Sequence, residues 1–257
     1  MWTLDPRPGV PAWRLEPAPP GFVFAFSTRR GGVSEGPYRY LNLGRSTGDR
    51  PLSVAENRRR LLVSLGLDPD RLATAGQVHG TAVTHVVAPG LHPDCDALLT
   101  TTPGLALAVT AADCLPILYG APGAVATAHS GWRGTAAGAP EAALVALCGA
   151  AGVAPGAVTI HLGPGIRGCC YRVGPEVADR FPEAALRRDG DTIHLDLPTA
   201  VRLRLLAAGV PDGAINDTRA CTGCDPDWYF SHRRDHGLTG RQWGVAALGA
   251  PARVNGA

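Results

Sequence analysis

The 257-residue chain contains no lysine; all 24 of its basic residues are arginine. This excludes a lysine Schiff base and a lysine-bearing phosphate loop, so any phosphate is held by arginine, histidine, a metal or backbone N–H groups. Excess charge is missing too. A net charge of +2 gives no electrostatic case for nucleic-acid or membrane partners. Long apolar runs are missing: stretches such as TTTPGLALAVTAAD are broken by proline and glycine, which argues against a membrane span. The opening MWTLDPRPGVPAWRLEP lacks a charged n-region followed by an apolar stretch, so no signal peptide is expected. The seven cysteines are an odd number, and reduced thiols in a cytoplasmic setting are expected.

What is present is globular. Hydrophobic residues make up 45% of the chain, enough for a substantial core. The proline-rich residues 1–20 predict an arm or edge strand, and residues 21–257 predict one domain with no linker. GFVFAFSTR alternates like a strand. SVAENRRRLLVSLGL predicts a helix with Ser53 as N-cap and Gly66 near its stop. ATAGQVHGTAVTHVV predicts strand, turn, strand. LALAVTAAD, LPILYG and AVATAHSG predict strands buried on both faces. GTAAGAPEAALVALCGAAG, PEVADRFPEAAL and LPTAVRLRLLAAGV predict helices, and AVTIHLG and QWGVAALG further strands. Strands mixed with helices predict a single α/β domain.

Within AVTAADCLPILYGAPGAVATAHSGWRG (Ala108–Gly134), Cys114 and His129 mark the limits of apolar segments. A buried cysteine is ordinarily an inert small hydrophobe. With His79 of QVHG, also at a turn, the three would instead form a zinc site with one open position, although no compact spacing rule requires it. CTGC (Cys221–Cys224) is ambiguous: a structural zinc site, a redox dithiol or two loop thiols. Zinc would need a second ligand pair. Cys169 and Cys170 could supply it, although adjacent ligands chelate poorly. GPGIRG (Gly163–Gly168) matches a dinucleotide fingerprint, but Pro164 removes an N–H and no helix follows. Arg29, Arg30, Arg58 and Arg133 are candidate anion holders, with a solvated face the ordinary state for most of ENRRR. SHRRDHG is expected to be charged surface.

The motifs STRRGGVSEGPY, LNLG, ENRRRL, QVHG, DALLT, TAADCLPIL, AHSGWRG, GPGI, CCYRVG, FSHRRD and TGR occur in one order over residues 20–248. In this the chain resembles the YfiH-type proteins, also called multicopper polyphenol oxidase or laccase-domain proteins and read as purine nucleoside phosphorylases. The resemblance implies a layered α-β-β-α domain with mixed sheets, related to the catalytic domain of the cytotoxic necrotizing factor toxins. It implies zinc held by His79, Cys114 and His129. It further implies phosphorolysis of adenosine, inosine, guanosine and methylthioadenosine, together with deamination of adenosine. The partners implied are purine nucleosides and phosphate. Arg58 is implicated in phosphate or substrate contact and Asn42 in substrate contact.

Two positions depart from the family pattern: Arg172 replaces an acidic residue, and His232 replaces a tyrosine. Asp96 and Asp113 could orient the ligand imidazoles. Two alternatives stay open. One is a copper-dependent, laccase-like oxidase, for which eight histidines without a His-x-His pair look too few, although copper could occupy the same trio. The other is a metal-free cysteine hydrolase using Cys114 and His129.

Overall fold

Short apolar runs bounded by glycine, proline and aspartate set the elements of the computed structural model, which describes residues 1–5, 9–17 and 19–249. The chain begins with β1 (Trp2–Asp5), β2 (Ala12–Leu15), β3 (Phe22–Ser27), α1 (Pro51–Ser64), β4 (Leu72–Ala75), β5 (Val83–His85), β6 (Gly90–His92) and β7 (Ala97–Thr100). It continues through β8 (Ala106–Ala111), β9 (Leu115–Ala121), β10 (Ala124–Ser130), α2 (Trp132–Ala137), α3 (Ala139–Ala151) and β11 (Thr159–Leu162). The last part is β12 (Arg172–Val173), α4 (Pro175–Ala178), β13 (Leu186–Asp189), β14 (Thr192–Leu195), α5 (Leu197–Ala207), β15 (Ile215–Asp217) and β16 (Gln242–Leu248).

Two mixed sheets form the centre, ordered β1-β2-β3-β16-β8-β4-β6 and β15-β11-β9-β10-β7-β5, with a small β12-β14-β13 sheet beside them. Side-chain alternation assigns their faces. In β16, Trp243, Val245 and Ala247 pack with Leu61 and Leu62 of α1, whereas Ala246 and Leu248 meet Leu98, Leu118 and Val125 of the second sheet. In β9, Leu115, Ile117 and Tyr119 point the other way, to Leu144 and Leu147 of α3 and Val201 and Leu205 of α5. The order is therefore helix, sheet, sheet, helix, in one domain. Strands β1 and β2 pair antiparallel at the edge of the first sheet, with Trp2 opposite Leu15. No helix among the described residues is long and apolar enough to cross a membrane.

Three element predictions need correction. α1 starts at Pro51 with Arg50 as N-cap, because proline suits the first helical position, where its missing N–H is no loss; Ser53 lies inside. The alanine-rich stretch is two helices, α2 and α3, broken at Gly138 with φ +98°. PEVADRFPEAAL yields only the four-residue α4 and a short turn, since Pro182 cannot continue a helix.

The glycines of GPGIRG serve packing. A Cβ on Gly163 would lie 2.4 Å from the Phe26 ring, and one on Gly165 3.0 Å from Leu115 Cδ1. This loop is closed against the strands and offers no phosphate cradle.

Candidate metal centre and its cleft

The hairpin β9–β10 pairs Ser130 with Leu115 and His129 with Pro116. Cys114, one residue before β9, therefore stands beside the end of β10, and the two ligand candidates meet through strand register. His79 arrives from the 76–80 loop, with φ +63° at His79 and +62° at Gln77. Such left-handed backbone in residues other than glycine costs energy.

Asp96 offsets that cost. Its carboxylate, 1% exposed, accepts the N–H groups of Val78 (3.1 Å), His79 (3.0 Å) and Gly80 (2.7 Å). It also accepts Nδ1–H of His129 at 2.8 Å. This bond leaves Nε2 of His129 available to a metal. Asp96 thus orients the His129 imidazole as expected, and holds His79 through its backbone rather than its ring. Asp113 does not. It accepts from Thr222 Oγ1 and the Arg233 N–H, both at 2.6 Å, and ties two distant segments to the cleft.

The ligand atoms of His79, Cys114 and His129 lie within 4.8 Å of one another, with Cys114 Sγ 4.0 Å from His79 Nε2. Burial opposes the Cys114 thiolate, yet the charge and hydrogen bond of His129 and the hydrogen bond of His79 bring the thiol down to about 6. Burial also opposes a charged His129, but Cys114 and Asp96 raise it to about 9. In the metal-free chain the thiolate is lost as pH falls through about 6, and the imidazolium is lost as pH rises through about 9. Metal capture would displace the His129 proton. One thiolate and two imidazoles, one of them held by an outer carboxylate, suit zinc with an open fourth position.

Gly131 follows from the same crowding. A Cβ there would sit 2.8 Å from Cys114 Sγ and 3.3 Å from His79 Cδ2. Gly131→Ala is expected to weaken zinc retention about 10-fold in a chelator competition. Gly149→Ala, which meets open space, should leave it unchanged. Equal retention in both variants would show that Gly131 does not shape the site.

The trio opens onto a cleft of about 480 Å³ whose lining includes Trp132, Ile166, Tyr171 and Leu197 together with Arg133, His232, Arg233 and Arg241, with the Arg133 guanidinium 4.5 Å from the Trp132 ring centre. Burial pushes the Tyr171 hydroxyl up to about 12, so it stays protonated, and the Arg233 guanidinium lies 5.0 Å from its ring centre. A second cavity of about 150 Å³ shares Ser46, Gly76, Gln77, Thr110 and Arg241 with the first and adds Arg45, Thr47 and Arg58.

The predicted site residues divide. His79, Cys114, His129 and Arg133 line the cleft. Arg58 lies in the adjoining cavity, where Nε and Nη2 donate to the Leu43 carbonyl and the guanidinium stands 4.8 Å from the Trp243 ring centre. Burial and the neighbouring Arg45 charge lower it to about 10. Asn42 does not reach either cavity. It is fully buried and saturated by Thr47, Asp49, Gly44 and the Arg241 N–H, so its role is to hold the loop that presents Arg45 and Arg241. Arg29 and Arg30 are spent on backbone carbonyls and stacked on Phe230 and Trp228. SHRRDHG is exposed at His232, Arg233 and His236, as expected of charged surface, but His232 and Arg233 also line the cleft and Ser231 is fully buried. Arg172 lies outside the main cleft and acts on it through its carbonyl, which accepts Arg233 Nη1. The residues missed were Arg45, Arg241, Trp132 and Tyr171. Their signal was position: Arg45 directly follows LNLG, and Trp132, Tyr171 and Arg241 lie inside AHSGWRG, CCYRVG and TGR.

The layered fold and the His–Cys–His group in an arginine-rimmed cleft define a distinct class of α/β protein. Residues 23–249 match the family described as multi-copper polyphenol oxidoreductase laccase, and the chain belongs to that family. It is 43% identical over 254 residues to a Deinococcus radiodurans protein named purine nucleoside phosphorylase, covering 96% of this chain and 95% of the relative. It is 39% identical to the Escherichia coli protein named purine nucleoside phosphorylase YfiH, covering 90% and 95%. The crystal structure of YlmD from Geobacillus stearothermophilus superposes with a TM-score of 0.91 at 36% identity, covering 97% of this chain and 99% of the other.

Proposed function

We propose that the protein is a zinc-dependent purine nucleoside phosphorylase that also deaminates adenosine. The observation that carries this is the juxtaposition of the His79–Cys114–His129 group with a lysine-free, arginine-lined pair of cavities. The names of the relatives supply the substrate class. Zinc held by the trio would supply a Lewis acid with one open position.

The chain's own residues do the rest. The cleft-lining Trp132, Ile166, Tyr171 and Leu197 supply apolar and aromatic surface of the kind that suits a purine base. No carboxylate lines the cavity of Arg45, Arg58 and Arg241 among the described residues, so its charge is available to phosphate. In phosphorolysis a phosphate oxygen bonds to the ribose C1′, and the C1′–N9 pair leaves with the base, giving ribose 1-phosphate. Phosphate held beside the sugar removes the entropy cost of bringing the reactants together. Protonated Tyr171 and the Arg133 and Arg233 guanidinium groups can donate to the charge that develops on the departing base. Deamination uses water instead of phosphate and so depends less on the arginine cavity.

The test is chromatography of adenosine, inosine, guanosine and methylthioadenosine incubated with the protein and phosphate. Free base and ribose 1-phosphate, or its methylthio analogue, are expected, with inosine as a second product from adenosine. No base from any of them removes the proposal.

Arg58→Lys separates the two activities. A lysine keeps the charge but cannot hold the Leu43 carbonyl and a phosphate oxygen in one fixed fork. Loss of one charge-assisted hydrogen bond, about 1.5–3 kcal/mol, corresponds to roughly ten- to hundredfold weaker phosphate saturation, with deamination and zinc content retained. An equal fall in both activities would assign Arg58 to the nucleoside, and no change would leave Arg45 and Arg241 as the phosphate ligands.

One geometry favours a second reading. Asp96, His129 and Cys114 also form an acid–base–thiol series, which suits a cysteine hydrolase without metal. Under that reading, hydrolytic activity survives zinc removal and alkylation of Cys114 abolishes it. Copper in the same trio, the laccase-like alternative, would show as oxidase activity restored by copper and not by zinc.

A further inference from the structure

Four thiols outside the cleft converge. Cys169 and Cys170 follow the GPGIRG loop; Cys221 and Cys224 form CTGC. Their sulfurs all lie within 4.8 Å of one another, with Cys169–Cys221 at 3.4 Å, Cys169–Cys224 at 3.3 Å and Cys170–Cys224 at 3.2 Å. All four are free thiols.

We propose that Cys169, Cys170, Cys221 and Cys224 bind one zinc ion as a tetrathiolate, a second metal site separate from the cleft. Four sulfurs at about 2.3 Å around one tetrahedral zinc lie about 3.8 Å apart, close to the spacing found. The sulfurs sit too near one another to surround an iron–sulfur cluster, and thiolates alone select a soft ion.

The backbone is built for this arrangement. Adjacent cysteines chelate poorly in extended chain because successive side chains diverge, but residues 167–171 are a turn, with the N–H groups of Cys170 and Tyr171 both donating to the Arg167 carbonyl. That turn aims both sulfurs to one side. Gly165 and Cys221 form a bridge, with the Thr222 N–H donating to the Gly165 carbonyl at 3.1 Å. Gly223 lets the two pairs close: a Cβ there would lie 2.8 Å from Cys170 Cβ.

The ion would staple the 165–171 turn to the 218–224 segment. The first carries Ile166 and Tyr171 into the cleft, and the second carries Thr222 to Asp113. Its role is structural, and it does not depend on which reaction the cleft performs.

The test is zinc counting by elemental analysis and native mass spectrometry on tag-free protein. Two zinc ions are expected in the wild type, one in Cys114→Ser, and one in each of Cys221→Ser and Cys224→Ser. Cobalt(II) added to metal-stripped Cys114→Ser should give an intense thiolate-to-cobalt band, a readout that does not require the CTGC variants to fold. A single zinc in the wild type that disappears in Cys114→Ser, the absence of that cobalt band, or a non-reduced mass lower by two hydrogens per bridge would overturn the proposal.

Discussion

Cys114→Ser is expected to empty the cleft metal site and to abolish base release while the protein stays folded. Serine replaces a soft thiolate, already favoured at neutral pH because the thiol sits at about 6, with a hydroxyl that neither ionises nor binds zinc well. The substitution removes one atom's chemistry and little volume, so the surrounding strands keep their packing. Removing an outer partner of a metal ligand typically costs about 10- to 100-fold in affinity or activity, and removing a ligand should exceed that. Elemental analysis, circular dichroism and the adenosine assay on one preparation check the three parts together. Full zinc in the cleft with full activity would mean that the trio is not the metal centre.

Asp96→Asn should produce the second large loss. Every contact of the carboxylate is with a donor: the Val78 and Gly80 N–H groups on one oxygen, and the His79 N–H and His129 Nδ1–H on the other. Whichever way an asparagine amide is turned, its NH2 faces donors. The expected cost is about 2–4 kcal/mol of stability from unsatisfied buried groups and about 10- to 100-fold in zinc affinity. Denaturant unfolding and chelator competition measure the two. A variant with wild-type values in both would show that Asp96 does not hold the loop and the imidazole.

The mixed α/β class was legible because strands and helices leave local signals, whereas the layering and the ligand trio were expected from the family resemblance, since no spacing links His79 to Cys114 and His129. Apolar runs such as LPILYG and AVATAHSG carry strand periodicity, and Cys114 and His129 interrupt them beside turns. Features built from distant pairings were not legible. Asp113 and Asp96 looked equivalent in sequence, yet Asp113 is committed to Thr222 and Arg233, more than a hundred residues away. ENRRR reads as one charged run, but Asn57 is fully buried and Arg58 nearly so, while Arg59 and Arg60 pair with Glu56 at the surface. Helical spacing, not composition, decides which of the five face the core. Asn42 sat within LNLG as a substrate candidate, and only the folded loop reveals that its amide is saturated. Cys169 and Cys170 looked like poor chelators because sequence does not disclose the turn that aligns them.

The most direct test of the central claim is base release from adenosine by metal-stripped protein, followed as zinc is returned stepwise in the presence and absence of phosphate. Adenine and ribose 1-phosphate should form only when both zinc and phosphate are present, with activity rising as the cleft site fills. Undiminished phosphorolysis by fully stripped protein would contradict the account.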